Sequence, residues 1–193
     1  AGTPQAGTLD RFREQARARN LKLIERIQAR LPELALDYAA DVLPLTPADV
    51  ATERHIIRAY SYKSRVLFPS AEARTAFWAR ALGQDAAAVA RLSENVPAFE
   101  EAIRAKLVKK GGLGYEQPTT TTFPPVEEFV AWVRACRAIP MATWLDGTSN
   151  GEADPERLLD VFQAKGCVAL NLIPDRNWNL KDPAAATLKR ARL

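Results

Sequence analysis

RAIPMATWLDG, residues 137–147, is the stretch on which the fold turns. Its apolar run stops at Asp146 and Gly147 and passes into Thr148, Ser149, Asn150 and Gly151, residues that favour turns. A second run at 168–173, VALNLI, ends in the same way at Pro174, Asp175, Arg176 and Asn177. Between them, 155–165 has a helical pattern long enough for a crossover, so both runs are expected to be parallel strands buried on both faces. Loops after the carboxyl ends of parallel strands are where such folds keep ligand-handling groups. Asp146 is therefore a candidate, and the two ends would bring it near Asn171, Asp175, Arg176 and Asn177.

Working outward, 126–135 and 183–192 read as helices, so the last third alternates helix and strand in the manner of a βα-barrel or a doubly wound sheet. Two parallel strands leave open edges, which further strands or a second copy of the chain would have to cover. Upstream, KKGGLGYEQPTTTTFPP (109–125) is a loop by composition. Its KKGGLGY part lacks the preceding strand, the following helix and the Lys-Ser/Thr ending of a phosphate loop, and reads as a linker. Before it, 52–66, 71–82, 86–93 and 99–109 read as helices broken at Pro69, Gly83 and Pro97. At 8–31, Leu9, Phe12, Ala16, Leu23, Ile27 and Leu31 mark one helix face, with Thr8 as N-cap and Pro32 as the stop. The division is a flexible start (1–7), a helical region (8–110), a loop (111–125) and a βα segment (126–193).

Composition sets outer limits. A chain of 193 residues that is 47% hydrophobic and 26% charged is an ordinary globular one. Its net charge of +4 favours anionic partners only mildly. The basic face of the first helix (Arg11, Arg13, Arg17, Arg19, Lys22, Arg26, Arg30) is diluted by Asp10, Glu14 and Glu25, so nucleic acid is not the expected partner. Cys136 and Cys167 have no Cys or His at ligand spacing, which suggests neither zinc nor disulfides and fits a reducing, cytoplasmic setting. No apolar run approaches the ~20 residues that span a bilayer.

His55, the only histidine, opens a helix between Arg54 and Arg58, a pattern suited to an anion site or to simple capping. Trp132 shares a helix face with Phe129 and Cys136 and is expected in the core.

In order, RARNLKLIERIQARLPEL, TERHIIRAY, KKGGLGYEQP, VEEFVAWVRACRAIPMATWLDG and LLDVFQAKGCVALNLIPDRN resemble the polymerase and histidinol phosphatase (PHP) superfamily of metal-dependent phosphoesterases. The likeness spans 11–190 and is nearest to members with a helical insertion. It implies an α/β fold, a partial (β/α) barrel with a large helical insertion, helix-rich overall with two short parallel strands. It implies divalent metal ions, a metal-bound hydroxide and a phosphorylated small molecule as substrate. Arg54, His55 and Tyr115 match ligand-contacting positions, and Asp175 and Arg176 fall near the cleft. The family's His-x-His, Asp-His and Asp-x-His ligands have no counterpart in this sequence, and a ligand histidine falls at Trp144, whose indole has no lone pair to offer a metal. Asp146 is the possible replacement. The chain is thus expected to be an incomplete or diverged segment, inactive by itself. The alternatives are a non-catalytic binder of small anions and a helical interaction module with a basic face.

Overall fold

The computed structural model describes residues 2–145, 147, 149, 151–172 and 183–192, apart from the side chain of Ala186. The described residues are helix-rich, with two short strands that pair in parallel. Two compact units emerge, one of residues 10–123 and one of residues 1–9 with 124–193.

The first unit is helical throughout. Helix α1 spans Pro4–Gln28 and buries Leu23, Ile24 and Ile27, three positions on one stripe. It starts four residues before Thr8, whose hydroxyl donates to the carbonyl of Pro4 inside the helix (3.1 Å), so Thr8 is not the cap and residues 4–7 belong to the helix. Proline is well suited to that first turn, where its missing N–H costs nothing. The chain then passes through short turns at Pro32–Leu34, Tyr38–Val42 and Leu43–Leu45.

Helices α2 (Glu53–Leu67), α3 (Ala71–Leu82), α4 (Ala86–Ser93) and α5 (Val96–Leu107) follow. Their boundaries have local causes. Ser70, Asp85 and Asn95 each accept a hydrogen bond from the backbone N–H three residues on, capping α3, α4 and α5. Gly83 ends α3 in the left-handed conformation (φ 69°), which glycine takes without penalty. Ile56, Ile57 and Tyr60 from α2, Phe77 and Trp78 from α3, and Phe99 and Ile103 from α5 form one core with the buried stripe of α1. Trp78 sits at its centre. Its ring meets Phe77 and Phe99 edge-on, and its indole N–H donates to Ser64 Oγ (3.0 Å), so the polar atom is satisfied without breaking the packing.

The second unit carries the strands. After helix α6 (Val126–Ala135), Arg137 takes a left-handed φ of 56° and turns the chain towards β1 (Met141–Trp144). Asp154 caps α7 (Pro155–Ala164), and Gly166 (φ 90°) turns the chain towards β2 (Ala169–Leu172). Helix α8 spans Pro183–Arg192. The strands pair Met141 with Ala169 and Trp144 with Leu172, giving the expected parallel pair.

Burial on both faces does not hold. Along β1 exposure alternates, with Met141 54% exposed and Trp144 fully buried, and β2 is half-buried and then exposed. Ala142 and Leu170 share one face of the pair and line a pocket with Leu159 and Phe162 of α7, while Met141, Thr143 and Asn171 fall on the other face by alternation. Trp132 also departs from expectation. It is half-buried rather than core, with Phe129 and Cys136 of the same helix exposed, and its indole N–H donates to the carbonyl of Gln5 (2.9 Å). No described helix is long and apolar enough to cross a membrane.

Candidate functional site

Within the helical unit a cavity of about 290 Å³ lies between α1, the first residue of α2 and the loop after α5. It is built from the glycine-rich run upward. At the end of α5 the last carbonyls lack helical partners. The loop supplies them: the N–H groups of Leu113 and Gly114 donate to the carbonyls of Lys106 (3.0 Å) and Leu107 (2.8 Å).

That path demands glycine at two places. A Cβ on Gly112 would stand 2.8 Å from the Lys106 carbonyl oxygen, and one on Gly114 would stand 2.6 Å from Leu23 Cδ1 and 2.7 Å from Ile27 Cγ1. The run is therefore a fitted cap on α5 pressed against α1, rather than a linker.

From Gly114 to Phe123 the loop forms a strap that α1 grips with side chains one and two turns apart. Arg26 donates Nε–H to the Gly114 carbonyl (2.9 Å) and pairs through Nη1 with Glu116 (3.0 Å). Arg19 donates to the Thr122 carbonyl (3.0 Å), and Gln15 donates to the carbonyls of Thr120 and Thr121 (3.1 Å each). The four threonines are a turn, closed by the Thr119 N–H donating to Thr122 Oγ1 (2.8 Å). So part of the basic face of α1 serves the strap instead of solvent or a polyanion.

The cavity wall has an apolar part, Leu23, Val108, Pro118 and Phe123, and a charged part, Arg19, Arg26, Glu53 and Glu116. The guanidinium of Arg19 lies 4.2 Å from the centre of the Phe123 ring. Burial lowers its pKa from the ordinary arginine value, with Glu53 opposing the shift, so the group is partly desolvated while remaining a cation. Glu53 hydrogen-bonds Arg104. Burial works against the charge of Arg104, but the hydrogen bond and charge of Glu53 outweigh it and raise its pKa.

Of the residues singled out from sequence, Tyr115 lines this cavity, half-buried, with its hydroxyl donating to Gln117 Oε1 (2.8 Å). Arg54 and His55 do not line it. Arg54 is 74% exposed at the side chain and stands 3.9 Å from Glu101. His55 serves the helix: the Thr52 N–H donates to His55 Nδ1 (3.0 Å), filling at the third position the role that Glu or Gln takes in a capping box. Asp146, Asp175 and Arg176 lie outside the described residues. Arg19, Arg26 and Glu53 were not singled out as a site. The seven-residue spacing of the two arginines was visible, but the backbone carbonyls they grip leave no trace in sequence.

At the end of β1, Trp144 is buried, with its indole N–H unpartnered among the described residues. Nearby, Glu152 accepts from the Gly147 N–H (3.2 Å), and Lys189 donates to the Gly147 carbonyl (2.8 Å). Among the described residues no group of three or more His, Cys, Asp or Glu gathers as a metal centre would require, so these residues do not fit a divalent metal by themselves. Comparison with protein-family models, with curated proteins and with solved structures finds no match for this chain.

Proposed function

We propose that the chain is a diverged relative of the PHP phosphoesterases whose own contribution is to bind a small anionic molecule, with no ester hydrolysis by this segment alone. On this reading β1 and β2 are neighbouring strands of a (β/α) barrel, the remaining strands or a second copy cover their edges, and 10–123 is the helical insertion. A phosphorylated small molecule is the ligand class that the resemblance implies, and a divalent metal would need ligands beyond the described residues.

The observation that carries the binding role is Arg19. It is a partly desolvated guanidinium on the wall of a cavity, hydrogen-bonded to a neutral carbonyl and placed over a neutral ring, with no salt bridge to a described residue although the charge of Glu53 acts on it. A cation so placed favours an incoming anion. The reading as a basic interaction face has less support, because Arg19 and Arg26 are engaged within the unit and Arg13 pairs with Asp10 (3.1 Å).

Titration of the full chain with small phosphate and carboxylate anions, followed by NMR shifts of Tyr115 and Leu23, tests the proposal. Saturable binding that Arg19→Gln abolishes is expected. Equal binding in the variant, or hydrolysis of a generic phosphomonoester on adding divalent metal, would overturn it.

A further inference from the structure

The charged residues on the cavity wall, Arg19, Arg26, Glu53 and Glu116, sum to zero, so charge by itself does not choose among ligands. Hydrogen bonding asks more. Glu116 already accepts from Arg26, Glu53 from Arg104, and the Tyr115 hydroxyl donates to Gln117. Two consecutive residues of α1 are left with unused capacity towards the cavity.

The first is Asn20, which is only 2% exposed. Its Nδ2 donates to the Ala51 carbonyl (2.8 Å), and that bond fixes which way round the carboxamide lies, since only the nitrogen can donate to a carbonyl. Oδ1 accepts from no described residue. Unlike the Tyr60 hydroxyl, Oδ1 is not sealed inside the packing, and Asn20 lines the cavity, so this acceptor opens into it. The second is Arg19, whose Nη1 donates to the Thr122 carbonyl and whose other N–H groups have no acceptor among the described residues.

Water can serve a buried acceptor of this kind. A ligand that displaces water must donate in its place or leave Oδ1 unpaired, and a site with such an obligation rejects analogues that lack the donor more strongly than analogues that differ in apolar bulk. Resting on the anion-binding reading above, we infer that the ligand carries an O–H or N–H donor close to its anionic group. The anionic oxygens accept from Arg19, the donor serves Asn20 Oδ1, and Leu23, Val108, Pro118 and Phe123 take the apolar part. Asn20 is then the residue that sets specificity.

Two matched sets test this on the full chain, one with carboxylates and one with phosphates, so that the headgroup does not decide the outcome. The first is mandelate, phenylacetate and O-methylmandelate; the second is glycerol 1-phosphate and propyl phosphate. Dissociation constants come from the shifts of Tyr115 and Leu23. In whichever set binds, the hydroxylated member is expected to bind about tenfold more tightly or better, and O-methylmandelate, which keeps the oxygen but has no proton to give, should fall with phenylacetate. Asn20→Ala removes the acceptor and should bring the ratio close to one while anion binding persists. If that variant fails to fold because Ala51 loses its donor, the ligand sets on the unaltered chain decide the matter.

Equal affinity within each set would overturn the requirement for a donor and leave the anion-binding reading standing. O-methylmandelate binding as tightly as mandelate, or an unchanged ratio in folded Asn20→Ala, would do the same. No binding by any member of either set would overturn both.

Discussion

Tyr60 shows how a single buried atom sets a measurable liability. The residue is fully buried in the helical core, and its hydroxyl has no hydrogen-bond partner among the described residues. A buried polar group left unsatisfied costs about 1–3 kcal/mol, so Tyr60→Phe is expected to stabilise the chain by about 1 kcal/mol in urea denaturation at pH 7. Burial also raises the phenol above its ordinary value of 10.0. The sign follows from that shift. Below pH 10 the phenol is neutral in both folded and unfolded chains, whereas above it the unfolded chain ionises first and stability falls. Tyr60→Phe should therefore gain more over the parent at pH 11 than at pH 7, and a constant gain would contradict the assignment. His55 teaches a different lesson at this scale. The pattern Thr52-Glu53-Arg54-His55 before an apolar run was readable as a helix start, and its geometry proved to be that of a reciprocal cap. Whether the imidazole looked outward to a ligand or back to Thr52 depends on a rotamer, which no sequence pattern encodes.

Among the elements, those with periodic burial were the most legible. Helices α2 to α4 follow their apolar spacing and stop at Phe68–Pro69, Gly83 and just before Asn95, whereas Pro97, expected as a break, lies in the first turn of α5. The strap was the least legible. Its anchors are main-chain carbonyls, which every residue has, and its fit depends on two absent side chains. Gly114→Ala tests that fit, since the added methyl meets Leu23 and Ile27 well inside contact distance. A loss of about 1–3 kcal/mol in urea denaturation is expected. Gly7→Ala is the control: it lies in α1 with no atom within 4 Å of the added carbon and should not destabilise. If the two variants behave alike, the strap is not seated as described. The strands were legible in direction but not in burial. A continuous apolar run leads one to expect cover on both sides, whereas along β1 only the alternate residues Ala142 and Trp144 are buried.

Over the whole molecule, apolar burial is unequally shared. The packed cluster from Leu23 to Val108 lies wholly within residues 10–123. Among the described residues of the other unit the buried apolar ones are Val130, Ala142 and Trp144, together with Pro140 and Pro155. Local opening is cheapest where few apolar contacts resist it. Hydrogen exchange should therefore be slowest at Ile57 and Ile103 and faster by orders of magnitude at Ala142 and Leu170, with thermal unfolding departing from a single transition. Uniform protection across both units would contradict this. The strap adds a further consequence. Because Gln15, Arg19 and Arg26 grip carbonyl oxygens, the hold on the loop is nearly indifferent to what the loop residues display. Tyr115, Pro118 and Phe123 are then free to vary while the anchorage persists, so the cavity is a place where ligand preference could be rewritten by ordinary mutational drift without endangering the fold.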